Sequence, residues 1–147
     1  MISVFSKAIS LSTAGFKRKI MATFGFNQEA NIMRDAIDDF IKMNQAGLIL
    51  ELCEKYYAEN VVMLNNGVVF AKSMRESYDK QKGFTESISE IDIKLLSKEI
   101  AGNTAELTFD YTMTEANSNI IKFVGKHVQK WENGKIAREE FFAIEDA

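Results

Sequence analysis

The stretch from Thr104 to Thr114 alternates more regularly than any other part of the chain, and it dictates a half-buried β-strand. Ala105, Leu107, Phe109, Tyr111 and Met113 are apolar or aromatic, while Thr104, Glu106, Thr108, Asp110, Thr112 and Thr114 lie between them. Successive side chains of a strand leave on opposite faces, so one face is buried and the other meets water. The following strand repeats the parity. Lys122, Lys126 and Lys130 point outward, which turns Phe123, Gly125, His127, Gln129 and Trp131 inward. Gly125, a glycine in mid-strand, is a candidate bend or bulge of a strongly curved sheet.

Helices come first in the chain. Asn27 is suited to cap a helix N-terminus, with Glu29 in the first turn. Met33, Ala36, Ile37, Phe40 and Ile41 form one apolar stripe, and Asn44-Gln45-Ala46-Gly47 stops the helix. A second helix is expected from about Leu48 to Tyr57, with Leu48, Leu52 and Tyr56 inward. Val61–Leu64 reads as a short strand, Asn65-Asn66-Gly67 as a turn, and Val68–Phe70 as a strand pairing back. Ser73 with Glu76 makes a capping box that opens a third helix. From Glu86 the period changes to two, with an irregularity expected around Glu90. The chain then runs as four strands, the last from Ile136 to about Ile144 after Asn133-Gly134. Helices followed by an antiparallel meander mean an α+β domain.

The 147 residues suffice for a single domain with a real core, and with no proline and 8 glycines a long Pro/Gly-rich linker is excluded. Cys53 is the only cysteine and sits in an apolar helical run, so disulfides and thiolate clusters are excluded and a buried thiol is expected. With one histidine, a His-rich metal site is excluded too. Lys7, Lys17, Arg18 and Lys19 stand without an acid in residues 1–20, so the net charge of −3 divides into +4 there and −7 elsewhere. That balance argues against nucleic acid as a partner. No run is apolar enough to span a membrane, and a cytoplasmic location is expected. Residues 1–24 are read as an extension dispensable for the fold, with 25–147 as the domain. A secretory signal is disfavoured by the order of charges. An upstream extension before a start at Met21, or a surface helix with Phe5, Ile9 and Phe16 on one side, both remain open.

The block from His127 through Trp131-Glu132-Asn133-Gly134 to Phe142 resembles the last two strands of SnoaL-like domains, members of the nuclear transport factor 2-like superfamily. The helix ending at Asn44–Gly47 and the segment Tyr56–Val61 resemble the family's opening part. The resemblance covers about residues 27–144. It implies a cone-shaped α+β barrel, N-terminal helices packed on a strongly curved antiparallel sheet, an apolar cavity, and a homodimer through the outer sheet face. The chemistry transfers only in part. The ketosteroid isomerase positions fall on Phe40, His127 and roughly Asn65, none of which has the isomerase residue. Polyketide cyclases carry a His on the penultimate strand, matched by His127, and an Asp on the last, which aligns near Phe141 between Glu139-Glu140 and Phe142.

His127 is the natural candidate acid/base, since imidazole exchanges protons near neutral pH. Its carboxylate partner depends on hairpin register. A two-residue turn at Asn133-Gly134 puts Glu140 opposite His127; a longer, bulged loop puts Phe141 there and Glu139 opposite Gln129. The family alignment favours the second, and a Glu139 inside an apolar cavity is expected to have a raised pKa. Tyr111, Gln129, Trp131, Phe109, Phe123, Met63 and Phe40 are the candidate substrate-binding residues. The expected function is cofactor-free, metal-free proton transfer on a small hydrophobic molecule, of isomerase, dehydratase or cyclase type. The competing readings are a non-catalytic domain holding a hydrophobic ligand and a dimerisation module with a filled pocket.

Overall fold

The structure, a computed structural model, describes residues 13–144. Helix α1 spans Thr13–Gln45, α2 Ile49–Tyr56 and α3 Met74–Glu86. The strands are β1 Tyr57–Asn65, β2 Val68–Ala71, β3 Ile88–Ala101, β4 Thr104–Glu115, β5 Ile120–Glu132 and β6 Lys135–Ile144. They form one six-stranded sheet in the order β2-β1-β6-β5-β4-β3. The helices pack against this sheet to make an α+β cone that is not closed, β2 and β3 being its two edges. One pairing departs from an all-antiparallel sheet: β1 runs parallel to β6, because the chain crosses through α3 and the meander before β6 returns beside it.

Several local expectations change. Helix α1 begins at Thr13, so Asn27 lies inside a helix and not at its N-terminus. Residues 1–12, and with them Phe5 and Ile9, fall outside the described residues. The expected stripe is the buried one, with Ile37, Phe40 and Ile41 at 0%, 1% and 7% exposure. The helix ends in a Schellman turn: Leu48 N–H donates to Met43 O and Gly47 N–H to Asn44 O, with Gly47 at φ +76°. Leu48 is solvent-exposed just before α2, and Leu52, Cys53 and Tyr56 are the buried residues of that helix. Ser73 caps α3 by accepting from the Glu76 amide at 3.0 Å. The outer face of β5 and β6 carries half-buried Val124, Val128 and Phe142 among Lys122, Lys126 and Glu140.

All five inward residues of β4 are buried. On β5, Gly125 pairs in regular register with Phe109 and Ala143, so it is not a bulge. Its purpose is room. A Cβ there would lie 2.5 Å from the Phe141 ring and 2.9 Å from the Tyr111 ring.

The bulge that matters is in β6. Asn133 and Gly134 both have positive φ, 52° and 76°, as a two-residue type I′ turn requires, and Glu132 pairs with Lys135 across it. Trp131 pairs with Ile136, but Lys130 pairs with Arg138, leaving Ala137 as an extra residue. Both sequence-derived alternatives are thus half right: the turn is the short one, and the register beyond Ala137 is the bulged one. The insertion switches parity within the strand, so Ile136 and Glu139 both face inward.

Replacing Gly125 with alanine is predicted to cost about 1–3 kcal/mol by forcing Phe141 or Tyr111 off its packing. Urea unfolding of Gly125→Ala against the parent measures it; equal stability would show that the Phe141 ring is not held there.

Candidate functional site

The inner face of the cone holds a cavity of about 370 Å3. Its wall is mostly apolar, with Phe40, Ile49, Leu52, Met63, Phe70, Met113, Phe123 and Phe141 among the lining residues. Asn44, Tyr57, Tyr111, His127 and Glu139 supply the polar part, and Lys80, Gln81 and Asn65 also reach it. A pocket with few polar groups on an apolar wall is the usual form of a small-molecule site.

The polar groups form one chain of contacts. Glu139 is 2% exposed and stands opposite both Gln129 on β5 and Met63 on β1. Its Oε1 accepts from the Tyr57 hydroxyl at 2.8 Å, and its Oε2 accepts from the Gln129 amide at 2.8 Å. Gln129 is held in that orientation because its own Oε1 accepts from the Trp131 indole N–H at 3.0 Å. His127 Nδ1 lies 3.2 Å from Glu139 Oε2. The angle is not that of a hydrogen bond, and Nδ1 has no other partner among the described residues, so this contact is electrostatic. On its other side, His127 Nε2 is 2.7 Å from the Tyr111 hydroxyl, and Asn44 Nδ2 donates to that same hydroxyl at 3.1 Å.

Two facts place the imidazole proton. The Asn44 Nδ2 that meets Tyr111 can only donate, so the Tyr111 hydrogen is free to point at His127 Nε2. A bare Nδ1 lone pair facing a carboxylate 3.2 Å away would be repelled by it. Neutral His127 therefore carries its hydrogen on Nδ1, with Nε2 accepting from Tyr111. The ring is clamped further by aromatic edges: Phe141, Phe109 and Phe40 have centroids 5.0, 5.6 and 6.1 Å away.

The expected rise in the Glu139 pKa is reversed. Burial does push it upward, but the charge of protonated His127 and the donors on Gln129 and Tyr57 outweigh that and hold it below 4.5. Its surroundings are apolar only beyond that first ring of donors. Glu139 is accordingly held as the ionised carboxylate beside His127. Burial raises the Tyr111 and Tyr57 hydroxyls well above the ordinary tyrosine range, with the Glu139 charge adding to both, so both remain protonated donors.

Among the sequence-derived candidates, His127, Glu139, Tyr111, Phe123, Met63 and Phe40 meet at the cavity. Gln129, Trp131 and Phe109 are buried but do not line it; Trp131 packs on Phe40 of α1 and Tyr56 of α2, and Phe109 on Tyr111 and His127. The cavity is open, so the reading in which Phe123, Phe109, Met63 and Trp131 fill it fails. Asn44 and Tyr57 were missed, having been read as a helix stop and a helix end. Asn44 did carry a signal: it continues the stripe Ile37, Phe40, Ile41 at helical spacing, a polar residue on an apolar face. Tyr57 carried none, since its role depends on the parallel pairing of β1 with β6. No group of three or more His, Cys, Asp or Glu among the described residues is arranged to hold a metal ion. No helix among them is long and apolar enough to cross a membrane.

A carboxylate whose pKa is lowered in the folded state stabilises the fold above its unfolded value and loses that contribution as pH falls through the folded value. The stability of the parent should therefore decline below about pH 4.5. In Glu139→Gln that part of the slope should vanish. Urea titrations of both proteins across acid pH measure this, and identical slopes would contradict an ionised, donor-held Glu139.

No family model and no curated protein matches the sequence. Solved structures do. An NTF2-like protein of unknown function from Burkholderia pseudomallei is 13% identical, with a TM-score of 0.66 over 77% of this chain and 91% of that one. A candidate SnoaL-like polyketide cyclase from Mesorhizobium loti is 18% identical, with a TM-score of 0.61 over 74% and 96%. An LEH-like epoxide hydrolase from M. tuberculosis is 12% identical, with a TM-score of 0.64 over 78% and 84%. Their names point to no common activity while their fold is shared, so likeness at this level of identity speaks for fold alone. The chain has the nuclear transport factor 2-like fold, the α+β cone of SnoaL-like and ketosteroid-isomerase-like proteins.

Proposed function

We propose that the protein is a proton-transfer enzyme acting on a small hydrophobic molecule in the cavity, with His127 as the proton acceptor. One observation carries the reading: a buried carboxylate, Glu139, set 3.2 Å behind an imidazole that lines a cavity of about 370 Å3. A buried carboxylate held by three side chains is costly to assemble. In this position it does what a general base requires of its neighbour. It fixes the ring orientation and tautomer, and it stabilises the imidazolium formed when the ring takes a proton. The apolar wall keeps the local dielectric low, which strengthens that stabilisation. Tyr111 and Asn44 would hold a polar group of the substrate, and Phe40, Met63, Phe123 and Phe141 would pack on its apolar part. Isomerisation, dehydration and cyclisation all begin with such a proton transfer, and one of the relatives in fold is named as a candidate polyketide cyclase.

A second reading, a domain that holds a hydrophobic ligand without transforming it, is favoured by the same apolar wall. Eliminative ring opening of 5-nitrobenzisoxazole separates the two. A base removes the ring C–H proton, the N–O bond breaks, and a coloured cyanophenolate is released. The wild-type protein should accelerate this over buffer, and His127→Gln should lose at least about 100-fold, the usual worth of a positioned base. A wild-type protein that binds the compound without accelerating its opening would establish the non-catalytic reading.

A further inference from the structure

We infer that Tyr111 is the group that meets the ligand's reacting end, and that the cavity selects apolar molecules headed by a hydrogen-bond donor, such as a hydroxyl, over carbonyl compounds. This deepens the reading of the cavity as a ligand pocket and rests on it.

The inference comes from counting hydrogens at the polar end. The Tyr111 hydroxyl hydrogen is committed to His127 Nε2, at 2.7 Å, and the Tyr57 hydroxyl hydrogen to Glu139 Oε1, at 2.8 Å. His127 Nδ1–H faces Glu139. What this end offers a ligand is mainly lone pairs: the second one of Tyr111, those of Tyr57, and the unused one of Glu139 Oε1. Against them at this end stands a further N–H of Asn44, while the N–H donors of Lys80, Gln81 and Asn65 belong to other parts of the lining. A carbonyl ligand needing a strong donor would have to turn a tyrosine hydroxyl away from the buried imidazole or carboxylate, leaving it uncompensated. A hydroxyl ligand donates into the lone pair of Tyr111 and disturbs nothing.

The same geometry defines the proton path. Tyr111 caps Nε2, so His127 takes a proton through the phenol instead of directly. The ligand's O–H bond breaks as a new O–H bond forms on Tyr111, and the original Tyr111 hydrogen crosses to His127 Nε2. The imidazolium so formed faces the Glu139 carboxylate, and the ligand is left as the oxyanion. One proton moves, Tyr111 ends neutral, and no other reactant is required. Tyr111 is the catalytic residue of this step, and Glu139 a positioning residue behind it.

Calorimetric titration of the wild-type protein with 1-tetralol, 1-tetralone and tetralin tests the selectivity, because the three share one skeleton. The alcohol should bind about tenfold more tightly than the ketone, the size expected for one disrupted buried hydrogen bond. Tyr111→Phe should bring the alcohol and ketone affinities together while tetralin binding persists. A ketone that binds the wild type as tightly as the alcohol overturns the inference and leaves the pocket reading intact. Failure of all three to bind overturns both. The wild-type ratio decides the matter even if Tyr111→Phe does not fold.

Discussion

A carboxylate buried to 2% exposure is the constraint around which the rest of this molecule is arranged. An ionised group taken out of water must be compensated, and here the donors come from two strands, Tyr57 from β1 and Gln129 from β5, with the His127 ring beside it as an electrostatic partner. Each of these in turn requires a neighbour. Gln129 presents its amide N–H because Trp131 occupies its oxygen, and His127 keeps its ring orientation through Tyr111 and, beyond it, Asn44 on α1. The site therefore ties the sheet to the first helix and makes the parallel β1–β6 pairing part of the polar network. Ala137 is the device that makes it possible. Without the extra residue, regular pairing from the Asn133-Gly134 turn would bring Glu140 onto the inner face and send Glu139 to solvent.

The cavity and the polar chain depend on each other. Gly125 lets the Phe141 ring lie against β5, and Phe141 then closes one side of the imidazole at 5.0 Å while forming cavity wall. The position where the family resemblance would set a carboxylate is thus filled by a ring. The carboxylate appears instead at Glu139, two residues earlier and so on the same face. It lies deeper, behind His127 and toward Gln129. This displacement puts the carboxylate among the Tyr57 and Gln129 donors, which favour its ionised form.

Much of the fold was legible in the sequence because period-two alternation is unambiguous where one sheet face is buried, as from Thr104 to Trp131. Ser73 with Glu76 and Gly47 likewise announced helix ends through local chemistry alone. Asn27 misled for the opposite reason: a good capping residue does not cap when the helical segment continues upstream of it. The candidate site was half legible. His127, Tyr111 and Phe123 followed from parity, but Ala137 is an ordinary residue whose extra position exists only in relation to β5, and no local signal marks it. The Glu139 pKa was misjudged because apolar neighbours are visible in sequence, whereas the donors that converge from distant segments are not. Gln129 and Trp131 face inward as expected, yet an inward residue can be buried without lining the cavity.

A directed chain of hydrogens runs from Asn44 to Tyr111 to His127 Nε2, with Nδ1–H beside an ionised Glu139. Because the chain has one histidine, 15N NMR of histidine-labelled protein reads it without assignment ambiguity. At a pH where the imidazole is neutral, the account predicts a pyrrole-type, protonated Nδ1 and a pyridine-type, bare Nε2. A protonated Nε2 beside a bare Nδ1 would contradict it.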